Sequence, residues 1–321
     1  MSFELLINNL ESIDRKIQIT VPGIWLVDSH SQIKLGYRDF LDQQFAKVMH
    51  SRKIKPLRQT SNWTKNAVVY NIFVRLFTAY DHNQDGRTGE SLNDITINED
   101  GVRETGTFVK TIAVLPYLKS LGINTIHLLP ITTIGHKGRK GDLGSPYAIK
   151  NPFQIDPHLA DPLVPLTIEE QYRALTDAAH MLGIRVVQEF IFRTAAIDSD
   201  WSDTHPDWFY WIKEGLEFKP PAFSKKDLKE IILVPKGKGR FIPPSPEYRA
   251  NFTLPPAEGS TKNIEIASAF ADWPPNDLQP PWSDVTYLRM YNYDYLKENN
   301  YNYIAYNTIR YYDPELTREE N

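Results

Sequence analysis

The chain has 321 residues, 41% of them hydrophobic and 24% charged, with a formal net charge of −4. That balance suits one large or two ordinary globular domains; it argues against a disordered tail, a coiled coil, and nucleic acid or an anionic membrane as partner. Cysteine is absent, which removes disulfides, thiolate nucleophiles and cysteine-ligated metal sites together.

The opening MSFELLINNLESIDRK carries Glu4 where a signal peptide carries lysines, and no stretch approaches the ~18 apolar residues needed to span a bilayer. A cytoplasmic chain is the expectation. Aromatic residues are in excess, with 17 Tyr, 15 Phe and 7 Trp. They either fill a large core or present flat platforms for sugar rings or bases, and composition leaves both open.

Residues 1–60 read as an N-terminal appendage, a marginal size alone and so expected to dock on the remainder of the chain. Within it, IQITVPGIWLV at 17–27 is β-rich and broken at Pro22-Gly23. Residues 39–49 suit a short helix with Phe40, Leu41, Phe45 and Val48 on one face. Residues 61–321 form the second domain. Its first strand, Ala67 to Val74, is a nearly continuous apolar run of the kind buried on both faces.

A helix over 107–121 is predicted by the spacing of Phe108, Ile112, Leu115, Leu118 and Leu121, stopped by Gly122. Pro116 inside it predicts a kink or a late start. Ile123 to Leu129 is the next buried strand, closed by Pro130. Thr167 opens another helix with acids in its first turn, ended by Gly183, and Ile184 to Phe192 is a third strand. Strands alternating with helices predict a parallel α/β fold, doubly wound or a (β/α)8 barrel. No GxGxxG follows the first strand and no GxxxxGK[ST] occurs, which counts against nucleotide binding. Prolines crowd residues 218–283, where a short strand fits Ile264 to Ala267; the Tyr- and Asn-rich 295–312 suits a helix ending near Pro314.

The loop after the first strand, Asp81-His82-Asn83-Gln84-Asp85-Gly86-Arg87-Thr88-Gly89-Glu90, offers oxygen ligands at positions 1, 3 and 5 and a glycine at 6. Carboxylates at that spacing wrap a hard cation. Leu92 at position 12 excludes an EF-hand, and a plain Asx-rich surface turn is the alternative.

Taken in order, VVYNIFVRLF, GINTIHLLPI, GSPYAIKNPFQIDPHLADP and LGIRVVQEFIFRTAAIDSDW resemble the opening strands of the α-amylase superfamily barrel. HPDWF at 205–209 closely resembles its maltosyltransferase-like branch. The resemblance implies a (β/α)8 domain of retaining mechanism, acting on α-glucosidic bonds by hydrolysis or by maltosyl or glucosyl transfer, with α-glucan or maltooligosaccharide as partner. It implies that Tyr147 stacks under a sugar and that Glu189 and Arg193, in the third-strand motif, contact substrate. Glu189 stands where the family has Asp, Arg193 where it has Asn and Thr194 where it has His. The alternatives are a tyrosine that packs a loop and a salt-bridging arginine. Asp156-Pro157 reads as a structural turn. The resemblance also implies calcium in the loop after the first strand, through Asp81, Asn83, Asp85 and Glu90.

Retaining glycoside hydrolysis uses two carboxyls about 5–5.5 Å apart. The G-x-R-x-D and N-H-D motifs that carry the family's catalytic acids are absent, and Glu265 reads as an outward, solvated carboxylate. At roughly 42 residues per strand and connection, eight strands need roughly 340 residues from the first, more than remain. The expectation is therefore a partial barrel, truncated before the nucleophile strand and inactive as an isolated fragment. The second reading is a non-catalytic glucan-binding or interaction protein built on that partial barrel.

Overall fold

The computed structural model describes residues 2–51, 62–88, 97–139, 144–192, 194–216, 252–256, 263–268 and 284–288. The chain divides into two compact units. The first comprises Met1–Thr133, Gly141–Pro146 and Pro152–Ile191; the second comprises Ile134–Lys140, Tyr147–Asn151 and Phe192–Asn321.

The first unit begins with helix α1 (Ser2–Asn9), whose sequence carries no signal strong enough to predict it. Strands β1 (Gln18–Pro22) and β2 (Gln32–Gly36) pair antiparallel, with Pro22 opposite Gln32, so the break expected at Pro22-Gly23 ends a strand. Helix α2 (Tyr37–His50) comes at once and buries Phe40, Leu41, Phe45 and Val48, the face its periodicity predicts.

Strand β3 (Val69–Ile72) leads into the short helix α3 (Val74–Phe77). Helix α4 (Phe108–Ser120) starts where Thr107 Oγ1 accepts the Lys110 N–H, at 3.1 Å. Pro116 lies inside it, so the helix does not start late. Strand β4 (Thr125–Leu128) comes next, after Gly122 at a φ of 84°, the left-handed cap that a glycine supplies without strain. Strands β5 (Thr132–Ile134) and β6 (Ile149–Ile155) carry the chain between the two units. Helix α5 (Ile168–Met181) opens on a capping box between Thr167 and Glu170, and strand β7 (Arg185–Gln188) comes after it.

Strands β3, β4 and β7 form one parallel sheet with β4 in the centre. Residue pairing sets Val69, Thr125 and Arg185 side by side, then Tyr70, Ile126 and Val186, and so on to Ile72, Leu128 and Gln188. Because side chains alternate along a strand, Ile72, Ile126 and Leu128 share one face. All three are fully buried, in one core with Ile112, Leu115 and Leu118 of α4 and Leu175, Ala178 and Ala179 of α5. Phe3, Leu6, Phe40 and Phe45 join that core, so residues near the N-terminus share it with the parallel strands.

One expectation is corrected. The first strand is not buried on both faces: Val68, Val69 and Tyr70 are 48%, 56% and 36% exposed. Among the described residues β3 is an edge strand, and the described strands form open sheets rather than a closed barrel.

The second unit contains strand β8 (Thr194–Ala196), helix α6 (Trp201–Thr204), strand β9 (Trp211–Lys213) and strands β10 (Phe252–Thr253), β11 (Ile264–Ile266) and β12 (Val285–Tyr287). β9 is the centre of an antiparallel sheet flanked by β10 and β11, and β12 pairs with β8. The short strand expected at 264–267 is therefore present. Glu265 is half-buried rather than fully solvated, and its Oε1 accepts the Gly215 N–H at 3.3 Å. The helix expected at 295–312 lies outside the described residues, as do Glu90 and Arg193. No helix among the described residues is long and apolar enough to cross a membrane.

Candidate functional site

Among the described residues of the first unit, two groups of side chains carry chemistry. One is the acidic loop after α3. Asp81 folds the loop around its own carboxylate: Oδ1 accepts the Asp85 N–H at 3.1 Å and Oδ2 the Gly86 N–H at 2.9 Å. Asn83 Oδ1 also accepts from the Asp85 N–H, at 3.2 Å, and Asp85 Oδ1 accepts from the Arg87 N–H at 2.9 Å. Gln84 and Gly86 turn through left-handed backbone, with φ of 66° and 88°. These bonds aim oxygens inward along a short turn.

Glu104, distant in sequence, completes the cluster. Its Oε1 accepts the N–H groups of His82 and Asn83 at 3.0 and 3.3 Å and the Asn98 amide at 3.3 Å. Carboxylate oxygens of Asp81, Asp85 and Glu104 all lie within 4.8 Å of one another. Two oxygens bound to one calcium at about 2.4 Å are separated by at most twice that distance, so the set fits a hard divalent cation. Burial pushes the Glu104 carboxyl above its ordinary range, as expected of an acid gathered with others away from water. Burial likewise carries His82 down to about 3, helped by the neighbouring Lys110 charge, and Lys110 down to about 7.

The second group crosses the parallel sheet. Glu189, at the end of β7, donates its N–H to Leu128 O at 3.0 Å, and its Oε2 lies 3.8 Å from His127 Nε2 on β4. His127 Nδ1 stands 3.0 Å from Asn71 Oδ1 on β3. An amide oxygen accepts, so Nδ1 donates to it, and Nε2 faces Glu189. The three residues make a polar row across neighbouring strands, with His127 30% and Glu189 24% exposed at their side chains. Such a row can exchange hydrogen bonds with the hydroxyls of a ligand. In an open parallel sheet the loops beyond the strand ends are where such ligands bind.

Of the residues singled out in the sequence, Asp81, Asn83 and Asp85 come together and Glu189 sits at the end of its strand. Tyr147 belongs to the second unit, where it is 37% exposed and its carbonyl accepts the Thr194 hydroxyl at 2.8 Å. Asp156 is the structural turn that Asp-Pro implies: it caps a short 3-10 turn by accepting the His158 N–H at 2.9 Å and forms a buried ion pair with Arg75. Three residues escape a reading of the sequence. Glu104 has no local spacing that ties it to Asp81. His127 and Asn71 sit inside strand runs, where they read as polar interruptions until the register pairs them.

No family model matches the chain. It is 36% identical over 146 residues to an α-1,4-glucan:maltose-1-phosphate maltosyltransferase of Cereibacter sphaeroides, covering 40% of this chain and 23% of that protein. It is 28% identical over 174 residues to a trehalose synthase of Thermus thermophilus, covering 52% of this chain and 14% of that one. Among solved structures, an α-amylase from Lactobacillus plantarum is 34% identical, with 46% of this chain and 27% of that chain covered at a TM-score of 0.32. The chain thus spans under a quarter of the length of these two curated relatives. Over that shared stretch, the chain is similar to α-1,4-glucan:maltose-1-phosphate maltosyltransferases at about a third sequence identity.

Proposed function

We propose that this is a carbohydrate-active protein that binds α-glucan or maltooligosaccharide at the ends of its parallel strands, on a partial (β/α)8 scaffold. The observation that supports this reading most is the Asn71–His127–Glu189 row. It sets hydrogen-bonding groups from neighbouring strands beside the residue that the third-strand motif marks for substrate contact. Tyr147 and Arg193 belong to the second unit, and their contact with sugar, as a stacking platform and a cation, rests on the resemblance alone. Hydrolysis or glycosyl transfer would belong to a retaining pair of carboxyls, and the sequence offers neither motif that supplies them. The isolated chain accordingly binds sugar without turning it over.

The acidic loop would hold calcium through Asp81, Asn83, Asp85 and Glu104, with Glu90 as a further carboxylate. The ion would serve structure, neutralising gathered carboxylates and clamping the loop.

Calorimetric titration of the 321-residue chain with maltoheptaose tests the sugar reading. Expected is measurable binding that weakens several-fold in Glu189→Ala and His127→Ala, with no reducing sugar or labelled maltose released. Absence of binding at millimolar sugar refutes it, and turnover would instead favour an enzyme whose catalytic carboxyls were missed.

A further inference from the structure

The candidate cation loop is not held by its own hydrogen bonds alone. Lys110 lies on the first turns of α4 with no solvent exposure. Its Nζ is 2.7 Å from Arg103 O, 3.2 Å from Thr78 O and 3.4 Å from Glu104 O. It is also 3.0 Å from His82 Nε2. His82 Nδ1 stands 2.9 Å from Thr20 O, a carbonyl that only accepts, so Nδ1 carries the proton and Nε2 accepts from Lys110. An ammonium has N–H groups to give and nothing to accept, and here every partner is an acceptor.

These acceptors sit on the two segments that supply the acidic cluster. Thr78 and His82 flank Asp81; Arg103 and Glu104 form the other limb, and Glu104 is itself a member. Its carbonyl accepts the Tyr80 N–H too, at 2.9 Å, so the two limbs are already neighbours. Converging carbonyl dipoles repel one another unless a positive group stands between them.

We propose that Lys110 is the positioning residue of the candidate cation site, a buried donor that gathers both limbs and so holds Glu104 against Asp81 and Asp85. This rests on the reading of the loop as a calcium site. Lys110 touches no ligand oxygen of that cluster and acts through the main chain and the His82 ring.

The distinction from an ordinary buried lysine is measurable, because charge and position pull in opposite directions. Removing a positive charge near a cation site favours calcium by simple electrostatics. Removing a positioning residue weakens calcium. The experiment is calorimetric titration of the full chain with calcium chloride, comparing the parent with Lys110→Met and with Leu118→Ala, two turns further along the same helix. Leu118 is fully buried in the core and distant in sequence from both limbs, so its truncation destabilises α4 without touching the carbonyls.

The expected result is a dissociation constant raised at least tenfold in Lys110→Met and within about twofold of the parent in Leu118→Ala. Unchanged or tighter binding in Lys110→Met overturns the proposal, as does an equal loss in both variants, which would mark a general effect of stability. If Lys110→Met folds too poorly to titrate, Lys110→Gln replaces it. Its amide keeps N–H donors but not the charge or the reach, and an affinity equal to the parent's overturns the proposal in the same way. A parent chain that takes up no calcium overturns the cation reading itself, and this proposal with it.

Discussion

Asp156→Asn isolates one buried charge and makes its worth measurable. Asp156 is 2% exposed and pairs with the Arg75 guanidinium, itself 7% exposed. Burial alone would raise the carboxyl. The His158 side chain, at 2.9 Å from Oδ1, and the Arg75 charge more than reverse that and bring it from an ordinary 3.8 to about 2. A depressed carboxyl stabilises the fold above its unfolded pKa, and that stability is lost as pH falls through the folded one. The difference corresponds to about 2 kcal/mol at neutral pH. The substitution costs at least this much. Because Arg75 stays behind without its counter-charge, the loss can reach the ~3–5 kcal/mol typical of a broken buried pair. Urea unfolding of parent and variant at pH 6 and pH 3 reads both quantities. The stability gap should be at least about 2 kcal/mol at pH 6 and should narrow by about 1 kcal/mol at pH 3, where the carboxyl of the unfolded parent chain is already protonated. A gap that is small, or that stays constant with pH, would show that the pair is solvated and refute the reasoning.

Other perturbations have equally definite outcomes. Calcium at about a hundredfold over its dissociation constant should add about 2.7 kcal/mol and raise the melting temperature by several degrees. Asp85→Ala and Glu104→Gln should each abolish that rise, and a parent that melts identically with millimolar calcium would leave only an Asx turn. Tyr37→Phe removes the hydroxyl that donates to the buried Asp161 carboxylate, and chemical denaturation should record a loss of about 2 kcal/mol. Gly106→Ala should be among the most damaging single changes, read as a large fall in melting temperature. Its new Cβ would stand 1.8 Å from the Val74 carbonyl oxygen, a backbone atom that cannot swing aside.

The parallel strands and the two long helices of the first unit are open to sequence reading for a physical reason. Runs such as Ile123 to Leu129 and Ile184 to Phe192 need only a local rule, and Gly122 and Gly183 mark helix ends because left-handed backbone is a local property too. The features that stay hidden depend on the third dimension. Helix α1 offers eight residues, too few for a period to stand out. The run containing Val69 and Tyr70 looks buried because composition cannot say whether a strand lies at an edge. Glu104 joins Asp81 through a backbone held by Lys110, and His127 meets Asn71 and Glu189 through sheet register. Neither relation leaves a spacing in the sequence. The site residue Glu189 is legible for a different reason, since it falls inside a motif.

The packing of α1 has a consequence for synthesis. Phe3 is fully buried, and its N–H donates to Asp177 Oδ2 at 3.3 Å, across 174 positions of chain. On a ribosome adding about 5–20 residues per second, α1 must wait on the order of ten seconds for its partner helix to emerge. Until then Phe3 and Leu6 have no α5 to cover them, and a nascent-chain chaperone would meet them bare. Moving the codons of α1 to the far side of α5 in a circular permutant should shorten that exposure and raise the soluble yield, with the contacts of the finished fold unchanged.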